Sequence, residues 1–354
     1  MEIRVRYQYN FSSVLLAALA NLPFAAQAAP QPSHQPVALI PFTAGQGSGV
    51  AMVINKQGMV CGMASGPTGA FCWRGGTLIE LQPLPGDDNV AVGGINDRGQ
   101  VVGLSQSTAT FRSRAVVFVD GVANEVPIPA STASSAAAID NGGDIVGTYA
   151  NRAGEAMAFL YRHGSVTDLG TLGSTVRSSS AADINNGKQV VGTSYTDTPT
   201  PNGSFETRGF LFRHGDMRAL PTPAGYSSTA TRVNEGGQVA GWIERIDNPD
   251  GSMLAALWDK DGLKVLLDQS SHARGINNRG QVVGALLASS GGFIYEPGKG
   301  VRSLNDLIDT STGWSIVYAQ AINDRGQIVG YGCKADLCGP VLLNPVGGHQ
   351  TQAD

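Results

Sequence analysis

Across 354 residues, 24 Lys and Arg stand against 28 Asp and Glu, a net charge of −4, with no Lys/Arg cluster of the kind a phosphate backbone demands. Nucleic acid is therefore not an expected partner. The 47 Gly require frequent tight turns, and a hydrophobic share of 42% is enough for a core and argues against wholesale disorder.

The first element is a targeting segment. Arg4 and Arg6 precede a mostly apolar run from Phe11 to Phe24, and Ala26-Gln27-Ala28 forms an A-x-A cleavage site. Residues 1–28 thus read as a secretory signal peptide, cleaved before Ala29. Asn21 and Pro23 interrupt the run, which is too short for a comfortable membrane span. Without residues 1–28 the chain carries 22 basic and 27 acidic residues, net −5. No other stretch could cross a bilayer, so no integral membrane segment is expected after cleavage. A periplasmic or secreted location follows.

Next comes Val37-Ala38-Leu39-Ile40, a strand-like stretch that belongs to no repeat of its own. Seven copies of one element follow: an apolar residue, Asn or Asp, two variable residues, Gly, then a strand ending in Gly. The copies anchor at Asn55, Asn96, Asp140, Asn185, Asn234, Asn277 and Asn323, spaced by 41, 44, 45, 49, 43 and 46 residues. Gly62, Gly103, Gly147, Gly192, Gly241, Gly284 and Gly330 each fall seven places after an anchor. The anchor side chain can bond backbone two residues on, and Gly99 and its equivalents can take a left-handed conformation. Each copy therefore reads as a β-hairpin. The fourth departs: Asn185-Asn186-Gly187-Lys188 moves the Gly forward by one, which predicts a local difference in that turn.

A second hairpin follows within each repeat, clearest at Ala158-Phe159-Leu160-Tyr161 and Gly209-Phe210-Leu211-Phe212. Aromatics two apart share one strand face. Four short strands in each of seven units predict a seven-bladed β-propeller with four-stranded antiparallel blades, spanning 36–346. No repeat shows the 3.6 periodicity of a helical solenoid. The seventh repeat lacks a fourth strand and ends in a polar tail, 347–354. Residues 37–40 are expected to supply that strand, making the last blade a composite of both ends.

The repeats resemble the bacterial extracellular HAF-repeat family, whose pattern is Ala-x-x-Ile-Asn-x-x-Gly-Gln-Val-Val-Gly. Ala273 to Gly284 match it in full; Ala319 to Gly330 match with Ile328 for one Val; Ile95 to Gly103 match behind Val92. The resemblance covers residues 50–343. It implies an exported or surface-associated propeller and transfers no catalytic residue.

The search for chemistry gives little. His163 and His214 hold the same turn position in adjacent repeats and read as solvated tips. No zinc-ligand spacing occurs, and neither a cofactor nor a metal is expected. The repeated Gly residues lie between strands, where a phosphate loop would need a helix N-terminus. Asp140-Asn141-Gly142-Gly143-Asp144 resembles part of a calcium loop but lacks the distal Glu. Asp97, Asp183, Asp324 and Asp168 could bring carboxylates near one rim or the channel, the residue type glycoside hydrolysis needs. Ser131 to Ser135 and Ser178 to Ser180 read as packing residues. Four Cys permit three complete pairings; Cys61–Cys72 and Cys333–Cys338 need only adjacent strands, the alternative being four reduced thiols.

The expected function is an exported, non-enzymatic binding or interaction scaffold for a protein or glycan. Tyr195 to Thr207 and Glu244 to Ser252 are the candidate recognition loops. The alternative is a glycan-directed hydrolase or lyase, which carboxylates converging in a central pocket would favour.

Overall fold

The computed structural model describes residues 32–39, 49–64, 69–129, 131–247, 251–288, 290–335 and 337–346. The expected signal peptide, residues 1–28, and the 347–354 tail lie outside these residues. The fold is an all-β, seven-bladed propeller, each blade a four-stranded antiparallel sheet. Six blades use four consecutive strands; the first, for example, runs Gly49–Ile54, Val60–Ala64, Ala70–Arg74 and Thr77–Leu81.

The seventh blade is the composite the sequence predicts. It contributes Trp314–Ile322, Ile328–Lys334 and Leu337–Pro345, and the strand His34–Ala38 pairs antiparallel along the last of these. The closing strand starts at His34 rather than Val37; Ile40 lies outside the described residues. Leu39, just beyond it, is buried with Ala51, Val60, Ala321, Val329 and Leu342, joining the seventh blade to the first.

The repeated Gly residues are fixed by packing. Each pairs with a third-strand residue that is Phe in four blades: Phe71, Phe159, Phe210 and Phe293, all fully buried. A Cβ on Gly192 would sit 2.0 Å from the Ser180 carbonyl oxygen and 2.9 Å from the Phe210 ring. The innermost strand carries a β-bulge in every blade, as at Ala181/Asp183, which presses its backbone against this position.

The structure forms both local disulfides, Cys61–Cys72 and Cys333–Cys338, each linking residues paired on adjacent strands. They close short loops, with sequence separations of 11 and 5. Replacing either pair by Ser is expected to cost about 2–3 kcal/mol or less, the Cys333–Cys338 pair least. Thermal melts of the two double variants check this; equal, larger losses would show packing outweighing loop closure.

Candidate functional site

The seven anchor turns converge at one end of the propeller axis. In every blade the anchor backbone accepts the N–H three residues on, and its side-chain oxygen caps the turn, as Asn96 Oδ1 does for Arg98 and Gln100. Gly58, Gly99, Gly143, Gly237, Gly280 and Gly326 take the left-handed conformation three places after the anchor. In the fourth blade Lys188 does so instead, at φ 61°. The turn keeps the common hydrogen bonds, so the expected local difference lies in residue choice and not in backbone path.

The anchors also bind one another around the axis. The Nδ2 of Asn55 donates to the Asn96 carbonyl, Asn96 to Asp140, Asn185 to Asn234, Asn234 to Asn277 and Asn277 to Asn323. Asn323 closes the circle on Asn55 at 2.9 Å. Only Asp140 has no amide to give. Its carboxylate instead takes Lys188 Nζ from the following blade, and Lys188 also reaches Asp144 at 2.7 Å. Arg162 pairs with Asp144 too. Burial raises the Asp144 carboxyl, but its bonds to Arg162 and Lys188 outweigh that and hold it below the usual range. Two cations thus occupy the segment that resembled a calcium loop.

A second circle runs through the residue after each anchor. Its backbone N–H donates to the next blade's side-chain oxygen: Lys56 to Asp97, Asp97 to Asn141, Asn141 to Asn186, Asn186 to Glu235, Glu235 to Asn278 and Asn278 to Asp324. It stops at Lys56, which has no acceptor. The two circles line a polar funnel of about 200 Å³ that holds Asp97, Asp140, Asp183, Glu235 and Asp324.

The sequence-predicted carboxylates therefore divide. Asp97, Asp183 and Asp324 meet at the axis; Asp168 does not, since it sits on an outer strand, bonded by Tyr149 Oη and capping Gly170. Asp97 and Asp324 accept interblade bonds. Asp183 is different. It enters a waist of about 150 Å³ lined mainly by Val53, Gly94, Ala138, Gly275 and Ala321, with Arg232 beside it from the next blade. Asp183, Arg232 and those five residues all stand two places before an anchor.

Asp183 accepts the Val233 N–H at 2.9 Å. Burial raises its carboxyl to about 6, against the opposing pull of Arg232 and the Val233 and Ile184 amides. Because the folded-state value lies above the ordinary 3.8, ionising Asp183 costs stability. The cost is absent below pH 3.8, grows toward 6 and is complete above it. Asp183→Asn is accordingly expected to stabilise the protein by up to about 3 kcal/mol at pH 8 and to be nearly neutral at pH 4. Melting curves at the two pH values check this; equal shifts at both would mean the carboxylate is not desolvated.

Toward the opposite end the blades diverge further. Three places before the anchors stand Met52, Gly93, Ala137, Ala182, Thr231, Arg274 and Gln320. Arg274 Nη1 donates to Gln320 Oε1 at 2.7 Å, and its guanidinium lies over the Tyr318 ring. Tyr318 stacks on Tyr331, and Trp242 packs on His272 with centroids 4.6 Å apart. The expected recognition loops flank this end. Tyr195 to Thr207 is an extension of a hairpin, its strands reaching Pro199 and starting again at Phe205. Part of Glu244 to Ser252 lies outside the described residues.

Other candidates have structural roles. His163 and His214 are exposed at hairpin tips with positive φ. Ser134 and Ser179 accept the Ala115 and Ala158 N–H groups of the preceding blade, and Ser228 and Ser271 do the same for Gly209 and Ala255. Among the described residues no group of three or more His, Cys, Asp or Glu could hold a metal ion, and no helix is long and apolar enough to cross a membrane.

No protein-family model and no curated protein matches the chain. Solved structures do. The β-propeller domain of the Trilobed protease from Pyrococcus furiosus, described as having an open velcro topology, is 9% identical with a TM-score of 0.57, over 87% of this chain and 95% of that one. Virginiamycin B lyase from Staphylococcus aureus is 13% identical with a TM-score of 0.53, over 87% and 98%. The extracellular domain of a B. thetaiotaomicron protein is 11% identical with a TM-score of 0.51, over 88% of this chain and 39% of that one. At these identities the likeness concerns the fold. Two disulfides and an extracellular-domain neighbour are consistent with a location outside the cytoplasm.

Proposed function

We propose that this protein is an exported binding scaffold of the HAF-repeat type, retained in the cell envelope or extracellular space after cleavage at Ala28, with its ligand held on the propeller axis. One observation carries the reading: the repeats differ from one another in a directed way. At the waist of the axis, blades one to three present Val53, Gly93, Gly94, Ala137 and Ala138 and blades six and seven Gly275 and Ala321, while blades four and five present Asp183 and Arg232. A ring needs only the repeat to close; a polar sector facing an apolar one serves a ligand with two unlike sides.

The hydrolase or lyase reading draws support from Asp183, whose raised carboxyl suits a general acid. Against it, Asp97, Glu235 and Asp324 are engaged by backbone amides and by Asn141, Asn186 and Asn278, which leaves Asp183 without a second free carboxylate in the pair that glycoside hydrolysis uses. Fold likeness to a lyase and a protease domain does not choose between the readings. Purified protein incubated with envelope and capsular polysaccharides separates them. Retention without product, weakened by Arg232→Met, is the expected result. Product that accumulates with time and is lost in Asp183→Asn would overturn the scaffold reading.

A further inference from the structure

We propose that the end of the axis opposite the anchor turns is a carbohydrate site for an acidic sugar, with Arg274 receiving the carboxylate and Trp242, His272, Tyr318 and Tyr331 forming the platforms for the rings. This rests on the binding-scaffold reading and names the ligand class.

The first argument is charge. Arg274 is half-buried, and burial lowers its pKa. Among the described residues no carboxylate pairs with it, whereas Arg114, Arg162, Arg208, Arg218, Arg245 and Arg302 all have acidic partners. Its own contacts are the neutral Gln320 amide and the Tyr318 ring, and its Nε is buried without a partner. A half-buried guanidinium with unused donors calls for a carboxylate, whose two oxygens match its planar fork. His272, two residues before it, is itself lowered by burial and by the Arg274 charge, which favours its neutral form and adds no second cation beside the guanidinium.

The second argument is the departure from the repeat. Five residues before the anchors stand Val50, Ala91, Ser135, Ser180, Thr229, His272 and Tyr318. Their cross-strand partners are Met63, Leu104, Thr148, Thr193, Trp242, Ala285 and Tyr331. Rings therefore gather only in blades five to seven, and there they touch: Trp242 on His272, Tyr318 on Tyr331. All four are half-buried, so each keeps an accessible surface. One ring pair touches the guanidinium through Tyr318 and the other includes His272, two residues from Arg274, which suits a chain of rings that carries an acid. Aromatic faces take the apolar C–H faces of sugars, and the polar residues fix orientation.

The test is calorimetric titration with tetragalacturonate, its methyl ester and neutral cellotetraose. Wild type should prefer the acid over the ester by about tenfold or more, as a charge-assisted bidentate contact requires. Arg274→Met keeps the stem and should abolish that preference. Tyr331→Ala should weaken acid and ester together. His163→Ala, at an exposed tip, should match wild type. Melting curves of each variant separate lost binding from lost folding. Equal affinity for acid and ester, wild-type binding by a folded Arg274→Met, or no binding of the acid would each overturn the proposal. In those cases binding of a different polymer to the axis, still sensitive to Arg232→Met, would leave the scaffold reading standing, whereas turnover would remove it.

Discussion

Removing residues 32–39 is expected to lower the melting temperature by about 10 °C and to bring aggregation. The strand His34–Ala38 forms the outer edge of the seventh blade, with Val37 opposite Leu342 and Ala38 opposite Val341. Ser33 adds two further bonds, its N–H to the Leu307 carbonyl and its own carbonyl to the Val346 N–H. Leu39 alone, buried at 5% exposure, contributes about 2–3 kcal/mol. With the backbone pairing, the loss reaches roughly 5 kcal/mol or more, and about 2 °C per kcal/mol applies to a domain of this size. The deletion also leaves Leu337–Pro345 as an open edge with apolar residues along it, a template for pairing with a second chain. Leu39→Ala should show part of the destabilisation, about 2–3 kcal/mol, without the aggregation. Deleting 347–354 should change little. Differential scanning calorimetry and light scattering on the three variants decide the matter; equal and negligible effects would mean that the ring does not depend on this strand.

Much of this arrangement was legible in the chain. The period of the anchors gave seven units, the paired hairpins gave four strands each, and a lone apolar stretch before the first repeat matched the missing strand after the last. The closing strand begins three residues earlier than expected because hydropathy marks its apolar end, whereas the pairing reaches His34 and Gln35, which have no apolar signal. The cysteine pairs followed from strand adjacency. The axis was harder to read. A turn explains why the anchor is Asn or Asp, since either can cap it; only the donor bond to the next blade explains why it is Asn in six copies. That bond joins residues over 40 positions apart and has no local signature. The polar sector was visible in principle. Aligning the seven repeats and scanning two places before each anchor isolates Asp183 and Arg232, but only the fold says that this column faces the axis. Asp168 misled for the same reason, since a carboxylate near a turn looks alike on inner and outer strands.

Asn96→Asp is expected to destabilise the protein by about 2–4 kcal/mol, and Gly143→Lys is expected to cost less in that background than in the wild type. The anchor circle supplies the reason. Asn96 Nδ2 donates to the Asp140 carbonyl and to Gln100 Oε1, while its Oδ1 accepts from Arg98 and Gln100. The carboxylate keeps the acceptor role, loses both donor bonds and brings a buried charge against two oxygens. The third blade lives with this change naturally, through Lys188, which stands three places after the next anchor and accepts a left-handed backbone to reach Asp140. The paired departures, Asp for Asn at 140 and Lys for Gly at 188, are thus one interblade link built differently. The position that stands to Asn96 as Lys188 stands to Asp140 is Gly143, at φ 90°, with nothing within 4 Å of an added Cβ. A lysine fits there at a backbone cost of about 1–2 kcal/mol. Gly143→Lys alone should therefore destabilise, yet together with Asn96→Asp it should be less harmful than the two costs added. The double-mutant cycle is expected to show a favourable coupling of about 1 kcal/mol or more, read from thermal or urea melts. Additive losses would mean that the cation at 188 is incidental to the carboxylate at 140.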